Sequence, residues 1–346
     1  MGKEKVTIQH IADSLGISRN TASKALNGSD SIPAETRNKV IRKAIELKYK
    51  QFAYVESDNL LPKNPGNIAL FTCNLPNSSH FGSFLISGLE KRISSEGYNL
   101  SIHIIRETEL STQSLPNNFE TSKVDGIICI EMFDKAYSEL VTSLGLPTIF
   151  IDCSSDVLYP ELKADLLLME NEHSTYYITR KLIDSGLTRI GFAGDYDHCK
   201  SFNERWAGYQ KALTESGLQP ELSSCIVGED RLFSDSWVAG QIEHMNAMPD
   251  AFICANDFIA VQVMKALKSR GVQIPDEVRI CGFDDAPESR IVEPHLSTVH
   301  IYNNEMGVTA AEMLLSRVKN PAQPYQIIHV RTEPIFREST GSLIAR

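Results

Sequence analysis

The sequence predicts a small all-α unit at its amino-terminal end and a larger α/β body of two doubly wound lobes with parallel sheets. Three observations carry this prediction. Residues 1–50 contain three amphipathic helical patterns separated by short turn signals. After residue 66, short apolar runs alternate with helical patterns, which is typical of parallel sheets covered by helices. The chain has 346 residues, which is too long for one ordinary core.

The helical unit begins at Thr7, a predicted N-cap, after which apolar residues recur with helical spacing. Gly16 ends this first helix, and Ser18 can cap a second one with a small, apolar inward face. A third helix is predicted over 33–49. Two short helices joined by a glycine turn form a helix-turn-helix, whose second helix lies in the major groove of DNA. The alternative is a generic three-helix bundle with charged faces.

Charge is divided unevenly along the chain. The net charge is −10, yet residues 1–50 carry ten Lys or Arg against five Asp or Glu. This segment is therefore +5 and the remainder −15. A basic segment on an acidic body is expected when only one part of a protein contacts phosphates. The charge pattern therefore favours a DNA-binding unit over the generic bundle.

Composition and motifs argue against several classes of protein. The seven cysteines form no Cys-x-x-Cys pair, and several lie in apolar runs, which favours buried, reduced thiols. No nucleophile elbow, phosphate loop or metal-ligand motif is present, so we expect no catalysis, cofactor or metal. We also expect a cytoplasmic protein with no membrane partner, because the sequence contains neither a secretion signal nor an apolar segment of membrane-spanning length.

Residues 6–27 read VTIQHIADSLGISRNTASKALN. This run is similar to the headpiece of the LacI/GalR family of repressors, with its pattern T-x-x-D-[IV]-A-x-x-[AL]-G-[VI]-S-x-x-T-[VA]-S. The resemblance implies that Arg19, Asn20 and Lys24 contact base edges. Arg and Lys suit guanine, and Asn suits adenine. The resemblance also implies that DNA phosphates are bound by four hydroxyl residues, namely Thr7, Ser18, Thr21 and Ser23.

Residues 51–65 are predicted to form a hinge or linker, and here the chain departs from the family. The family pattern is Tyr-x-Pro-Asn-x-x-Ala-Arg-x-Leu, whereas residues 49–58 read YKQFAYVESD. Asp58 therefore stands where the family has the Leu that enters the minor groove. A carboxylate cannot favourably enter a groove lined by phosphates, so we expect less DNA bending than in relatives with the usual hinge.

Apolar runs of strand length occur in the body at 68–73, 100–105, 126–130, 148–151, 190–193, 251–255 and 278–282. Residues 66–346 are similar to the family's sensor domain, whose fold is periplasmic-binding-protein-like. The resemblance implies an effector-binding and dimerisation domain with a ligand cleft at the carboxyl ends of the strands. The N-lobe is expected at about 66–164 and 303–326, and the C-lobe at about 165–302 and 327–346.

The resemblance implies five effector-binding residues, which are Phe81, Asp152, Arg205, Asn256 and Asp284. One Arg, one Asn and two Asp provide paired hydrogen-bond donors and acceptors, and an aromatic ring can cover a C–H face. A sugar-like polyol fits this chemistry. The alternative for each residue is a structural role, as a helix cap or a loop tie.

Together these observations predict a homodimeric, sequence-specific DNA-binding regulator, a repressor whose operator affinity is controlled by a small effector. Two other functions remain possible on the same fold. A solute-binding receptor would need a secretion signal and has no use for the basic residues 1–50. A sugar-modifying enzyme would need catalytic groups that the motifs do not provide.

Overall fold

The computed structural model describes residues 6–27, 32–49, 66–73, 80–229 and 233–341. The chain divides into two compact units, Met1–Pro65 and Gly66–Arg346. None of the helices in these described ranges combines the length and the apolar character that a membrane span requires. The predicted fold class, an all-α unit followed by α/β lobes with parallel sheets, is confirmed.

The first unit contains the three predicted helices, α1 (Ile8–Leu15), α2 (Arg19–Leu26) and α3 (Ala34–Glu46). Small side chains such as Ala12, Ala22 and Ala25 are buried between them, which allows the helices to approach closely. Gly16 ends α1 with a φ of 64°, a left-handed conformation that a glycine adopts at little cost. The periodicity of the sequence therefore predicted both the elements and their inward faces.

The first lobe of the body contains a six-stranded parallel sheet with the order β10-β5-β4-β3-β1-β2. Its strands are β1 (Asn67–Thr72), β2 (Asn99–Ile104), β3 (Gly126–Met132), β4 (Thr148–Cys153), β5 (Asp165–Met169) and β10 (Ile327–Val330). The helices of this lobe are α4 (His80–Ser95), α5 (Glu107–Thr112), α6 (Lys135–Ser143) and α11 (Asn303–Lys319). A Cβ on Gly307 would lie 2.0 Å from the Leu85 carbonyl oxygen, so glycine permits the close packing of α11 on α4.

The second lobe contains a three-stranded parallel sheet of β6 (Ile190–Ala193), β7 (Ala251–Cys254) and β8 (Arg279–Cys281). Its helices are α7 (Glu172–Asp184), α8 (Lys200–Glu215), α9 (Asp235–Glu243) and α10 (Asp257–Ser269). Two further strands, β9 (Thr298–His300) and β11 (Glu333–Ile335), form a separate antiparallel pair.

The chain passes between the lobes three times, at residues 170–171, 301–302 and 331–332. The lobe boundaries predicted at 165 and 327 are therefore wrong, since β5 and β10 belong to the sheet of the first lobe. β5 pairs with β4 on one side and with β10 on the other. Its five residues are all buried, so it forms the interior of the larger sheet.

Candidate functional site

α2 presents exposed polar side chains on the surface of the helical unit. Arg19 and Asn20 lie exposed in its first turn, and Lys24 is exposed one turn later. None of the three contributes to the buried core of the unit. These three side chains therefore do not pack in the core, whereas Ala22 and Ala25 on the opposite face of α2 are buried and fix the helix in the unit.

The residues predicted to bind the DNA backbone lie at the starts of the first two helices. The Thr7 hydroxyl caps α1 by accepting a hydrogen bond from the His10 N–H at 3.4 Å. The Ser18 hydroxyl caps α2 by accepting from the Thr21 N–H at 3.0 Å, and its oxygen lies 2.8 Å from the Thr21 hydroxyl. Ser23 is half-buried on the same helix. These hydroxyls therefore also have structural roles, which set the beginnings of the helices.

In the body, the Arg205 guanidinium is held from three directions. This side chain on α8 is only 3% exposed. Its Nε donates to the Asn171 Oδ1 at 2.9 Å, and its Nη1 donates to the Ala255 carbonyl oxygen at 2.5 Å. The guanidinium also lies over the Phe283 ring, 3.6 Å from the centroid. Its second terminal nitrogen, Nη2, has no hydrogen-bond partner among the described residues, so it can donate to a ligand.

Asp284 lies beside this guanidinium, with its Oδ1 3.5 Å from the Arg205 Nη1. It follows β8 and has a φ of 115°, a conformation that a non-glycine residue rarely adopts. Burial raises the pKa of its carboxyl to about 7, against the attraction of Arg205, and the Glu131 carboxylate raises it further. Near neutral pH, this group can therefore either accept or donate a hydrogen bond.

Asn256 is placed close to the same site, because Ala255, which accepts from Arg205, directly precedes it. Its Oδ1 accepts from the Ile259 N–H at 2.9 Å and caps α10. Its side-chain carbonyl thus has a structural role, while its amide nitrogen remains a possible ligand donor. The structural role that was the alternative for Asn256, a helix cap, is therefore observed through its hydrogen bond with Ile259.

Asp152 ties the two lobes together. It is the next-to-last residue of β4, has a φ of 61° and is 5% exposed. Its Oδ1 accepts from the Cys153 N–H at 2.8 Å and, across the lobes, from the Ser201 N–H of α8 at 3.3 Å. Burial raises the pKa of this carboxyl, and these hydrogen bonds oppose the increase. Next to Ser201 in sequence, the Lys200 Nζ donates a second hydrogen bond, to the Ser155 carbonyl oxygen at 2.6 Å.

Phe81, the fifth predicted effector residue, lies in the first turn of α4, and its side chain lies outside the described residues. The predicted hinge, including Asp58, also lies outside them. The structure brings the other residues into two groups. Arg205, Asp284 and Asn256 form one group, and Asp152 contacts α8 in its first turn rather than at Arg205.

Sequence reasoning missed several polar and aromatic residues of this cleft. Phe133, after β3 in the first lobe, contacts His198 in the second lobe with ring centroids 4.6 Å apart. Glu204 binds the Asn171 Nδ2 at 2.9 Å and the His329 Nε2 at 3.1 Å, and the hydrogen bond to Glu204 raises the pKa of His329. Glu204 lies on α8, His329 lies near the end of β10, and Phe133 and Asn171 follow β3 and β5. No sequence motif marks these residues, and only those at the carboxyl ends of strands share a signal that could have found them.

Comparison with known proteins gives this site its context. A family model described as a periplasmic binding protein-like domain matches residues 179–340. The ribose operon repressor of Haemophilus influenzae is 29% identical over 342 residues, covering 97% of this chain and 99% of the repressor. The HTH-type transcriptional repressor PurR of Vibrio parahaemolyticus is 25% identical over 339 residues, covering 97% and 99%. These relatives are transcriptional repressors.

Solved structures share the fold over most of the chain. The transcriptional regulator CelR in complex with cellobiose has a TM-score of 0.69 and 21% identity, covering 97% of this chain and 100% of CelR. The lac repressor dimer bound to operator and the anti-inducer ONPF has a TM-score of 0.68 and 20% identity, covering 97% and 99%. Both the helical unit and the two-lobed body therefore have counterparts of the same fold in a single chain.

Proposed function

We propose that the chain is a transcriptional regulator of the LacI/GalR family, a homodimeric repressor that binds a two-fold symmetric operator. In this proposal, a small polyol bound between the lobes of the body controls operator affinity through a coupling free energy. One observation carries it: a single chain joins an α2 with exposed Arg19, Asn20 and Lys24 to a cleft in which Arg205 is buried beside Asp284.

DNA recognition by α2 follows from its side chains. Arg19 and Lys24 present donors to guanine O6 and N7, and Asn20 presents the donor and acceptor that adenine requires. The Thr7 hydroxyl accepts a backbone hydrogen bond through its oxygen and so keeps its O–H group for a DNA phosphate. The Ser18 and Thr21 hydroxyls lie 2.8 Å apart, so one of their two O–H groups bonds the other residue and one is left for a phosphate. Thr21 and Ser23 provide further hydroxyls on the same helix. We also propose that the protein acts in the cytoplasm, because its relatives are bacterial transcriptional repressors.

Effector recognition follows from the donors and acceptors at the centre of the cleft. Arg205 Nη2 can donate, Asp284 can accept, and the Asn256 amide can donate, which matches the vicinal hydroxyls of a polyol. Asp152 enters the proposal as a residue that links the lobes, and Phe81 as an aromatic wall. The names of two relatives, a ribose operon repressor and a regulator in complex with cellobiose, support a sugar. We propose no catalytic role, because the relatives are repressors.

A DNA-binding assay with the full-length protein tests this function. Labelled DNA from upstream of its own gene should bind with sub-micromolar affinity, and at least one sugar in a thermal-shift panel should change that affinity. A receptor for transport or an enzyme on the same fold would bind no specific DNA. Absence of specific binding to upstream DNA would contradict the proposal.

Effector affinity should depend on pH through Asp284. If the ionised carboxylate accepts from a ligand hydroxyl, affinity should fall about tenfold between pH 8 and pH 6, as the group with a pKa of about 7 becomes protonated. The stability of the ligand-free protein should change in the opposite direction and decrease as the pH rises. A carboxyl whose pKa is raised on folding makes the fold less stable as the pH rises from about 4 through 7. Calorimetry at both pH values with the sugar that gives the largest thermal shift measures the first effect.

The variant Asp284→Asn is the control for this pH dependence. It should bind the same sugar more weakly at pH 8 and with an affinity that no longer changes between pH 6 and pH 8. An unchanged pH profile in this variant would assign the titration to another group.

DNA bending should be weaker than in relatives that carry the hinge leucine. Kinking at the minor groove needs an apolar wedge to offset unstacking, which costs a few kcal/mol per step, and Asp58 provides none. Circular-permutation gel shifts with wild-type protein and Asp58→Leu measure the bend. A wild-type bend as large as that produced by a leucine-bearing relative contradicts this prediction.

A further inference from the structure

An open groove of about 850 Å³ lies at the hinge between the lobes, beside two of the three crossovers. Residues of the first crossover and α7 line it, among them Glu170, Ser174 and Tyr177, together with Arg331, Thr332 and Phe336 after β10. None of its lining residues is among the predicted effector residues, so this hinge groove is separate from the predicted cleft.

The polar floor of the hinge groove is already satisfied. The Glu170 carboxylate accepts from the backbone N–H groups of His173 at 2.5 Å and Ser174 at 3.0 Å. The Thr332 hydroxyl donates to the Glu170 carbonyl oxygen at 2.8 Å and lies 2.8 Å from the Ser174 hydroxyl. The two Thr332 bonds join the crossovers. The negative charge of Glu170 is directed to the first turn of α7 rather than towards a ligand.

Two groups of the hinge groove remain available. Arg331 is exposed and has no hydrogen-bonded or ion-paired acceptor within the part of the chain that the structure describes. Tyr177 is 46% exposed, and its ring lies 6.3 Å from the Phe336 ring at an angle of 53°. The Lys181 Nζ lies 5.4 Å from the centroid of the Tyr177 ring, so the ring has one cation beside it and its other face for a ligand. A guanidinium binds a carboxylate through paired hydrogen bonds, and exposed aromatic rings provide a surface for a planar apolar group.

We propose that the hinge groove binds a small aromatic acid, with its carboxylate on Arg331 and its ring against Tyr177 and Phe336. Arg331 follows β10 in the sheet of the first lobe, whereas Tyr177 lies on α7 of the second lobe. The ligand therefore contacts both lobes next to their connections. This assignment is independent of the polyol cleft and of DNA binding.

The test uses indole-3-acetate and its neutral isostere indole-3-acetamide as probes of the full-length protein by saturation-transfer NMR. A ligand of this size is expected to bind with a Kd on the order of 1 mM. Arg331→Gln should weaken indole-3-acetate about tenfold, since a charge-assisted contact is lost, and should leave indole-3-acetamide unchanged. Tyr177→Ala should weaken both probes.

Two control variants separate this site from general charge effects and from the cleft. Arg270→Gln removes another exposed guanidinium and should leave binding unchanged, and so should Asp284→Asn, which changes the cleft while the bonds from Arg205 to Asn171 and Ala255 stay in place. The proposal is overturned if indole-3-acetate does not bind at about 10 mM, if the amide binds as tightly as the acid, or if Arg331→Gln has no effect. A change of probe binding in Asp284→Asn would place the probe in the cleft and overturn it equally.

Discussion

Replacing Arg205 with alanine should abolish the response of the protein to its effector while leaving operator binding intact. The guanidinium is buried and bound to Asn171, Ala255 and Asp284 on three separate segments. Truncating one member of a buried, hydrogen-bonded charged set typically costs 2–5 kcal/mol, which corresponds to an affinity loss of at least about thirtyfold. The exposed α2 is part of the other compact unit, so its DNA contacts should survive.

The measurement pairs two assays on the same protein sample. Thermal shift with the active sugar reports effector binding, and fluorescence anisotropy with labelled operator reports DNA binding. Lys211→Ala is the matched control, because it removes an exposed cation from the same helix and breaks only surface contacts, an ion pair with Glu172 and a cation–π contact with Tyr176. Ligand-induced stabilisation that persists in Arg205→Ala would show that the cleft assignment is wrong.

Arg205 also stabilises the fold, so a second variant keeps this prediction testable. Asp284→Asn retains the shape of the side chain and leaves the bonds from Arg205 to Asn171 and Ala255 in place. It should weaken effector binding without a comparable loss of stability in urea unfolding. A loss of effector binding in Arg205→Ala alone, proportional to its loss of stability, would indicate a purely structural role.

Operator binding should fall when any of the three exposed residues of α2 is replaced by alanine. Each base contact by Arg19, Asn20 or Lys24 is expected to contribute about 1–3 kcal/mol, so the operator Kd should rise about 5- to 150-fold per variant. Because none of these side chains is buried in the helical unit, its thermal unfolding should not change. Anisotropy titrations with operator and with random DNA measure both specific and general affinity.

The matched control is Arg42→Ala, an exposed cation on α3 that carries the same charge but is not predicted to contact bases. It should weaken operator and random DNA to the same small extent, as expected for a general phosphate attraction. Arg19→Ala should instead lower the ratio between the two affinities. Equal losses on operator and random DNA for Arg19→Ala would reject its role in base readout.

The helical unit was predictable because its information is local. The spacing of apolar residues after Thr7 and Ser18 predicts helices that the structure has at Ile8–Leu15 and Arg19–Leu26. Both hydroxyls cap the helices as expected. The third helix was predicted over 33–49 and ends earlier, at Glu46. Helix ends depend on a few hydrogen bonds and are less well determined by periodicity.

The lobe boundaries were not predictable, because the interactions that set them are distant in sequence. β5 contains only five residues, too few for periodicity to separate a strand from a buried helix segment. Its place in the first sheet depends on pairing with β10, more than 150 residues later. Arg317 reinforces that pairing with two hydrogen bonds to Asp165, at 2.6 and 3.0 Å.

The site residues also divide into those that a local motif marks and those that are defined only by contacts distant in sequence. Arg205, Asn256 and Asp284 are carried by motifs of the family, and the structure places them close together. Glu131 and Phe133 lie at the end of β3, where nothing in the local sequence marks a cleft. Asp152 was predicted as an effector residue, and its hydrogen bond to Ser201 depends on how α8 meets the first lobe. Contacts between lobes are a property of the whole fold.

Each lobe contains buried cysteines whose rate of alkylation can report how often that lobe opens to solvent. Cys129 and Cys153 lie on the first sheet, and Cys254 and Cys281 lie on the second, all of them buried. Burial raises the pKa of each of these thiols, so they resist alkylation while the lobe is closed. In a background with Cys73→Ser, which removes the one partly exposed thiol, pulsed alkylation followed by peptide mapping would follow the two sheets separately. Effector binding should slow labelling in both lobes without any label being introduced into the cleft.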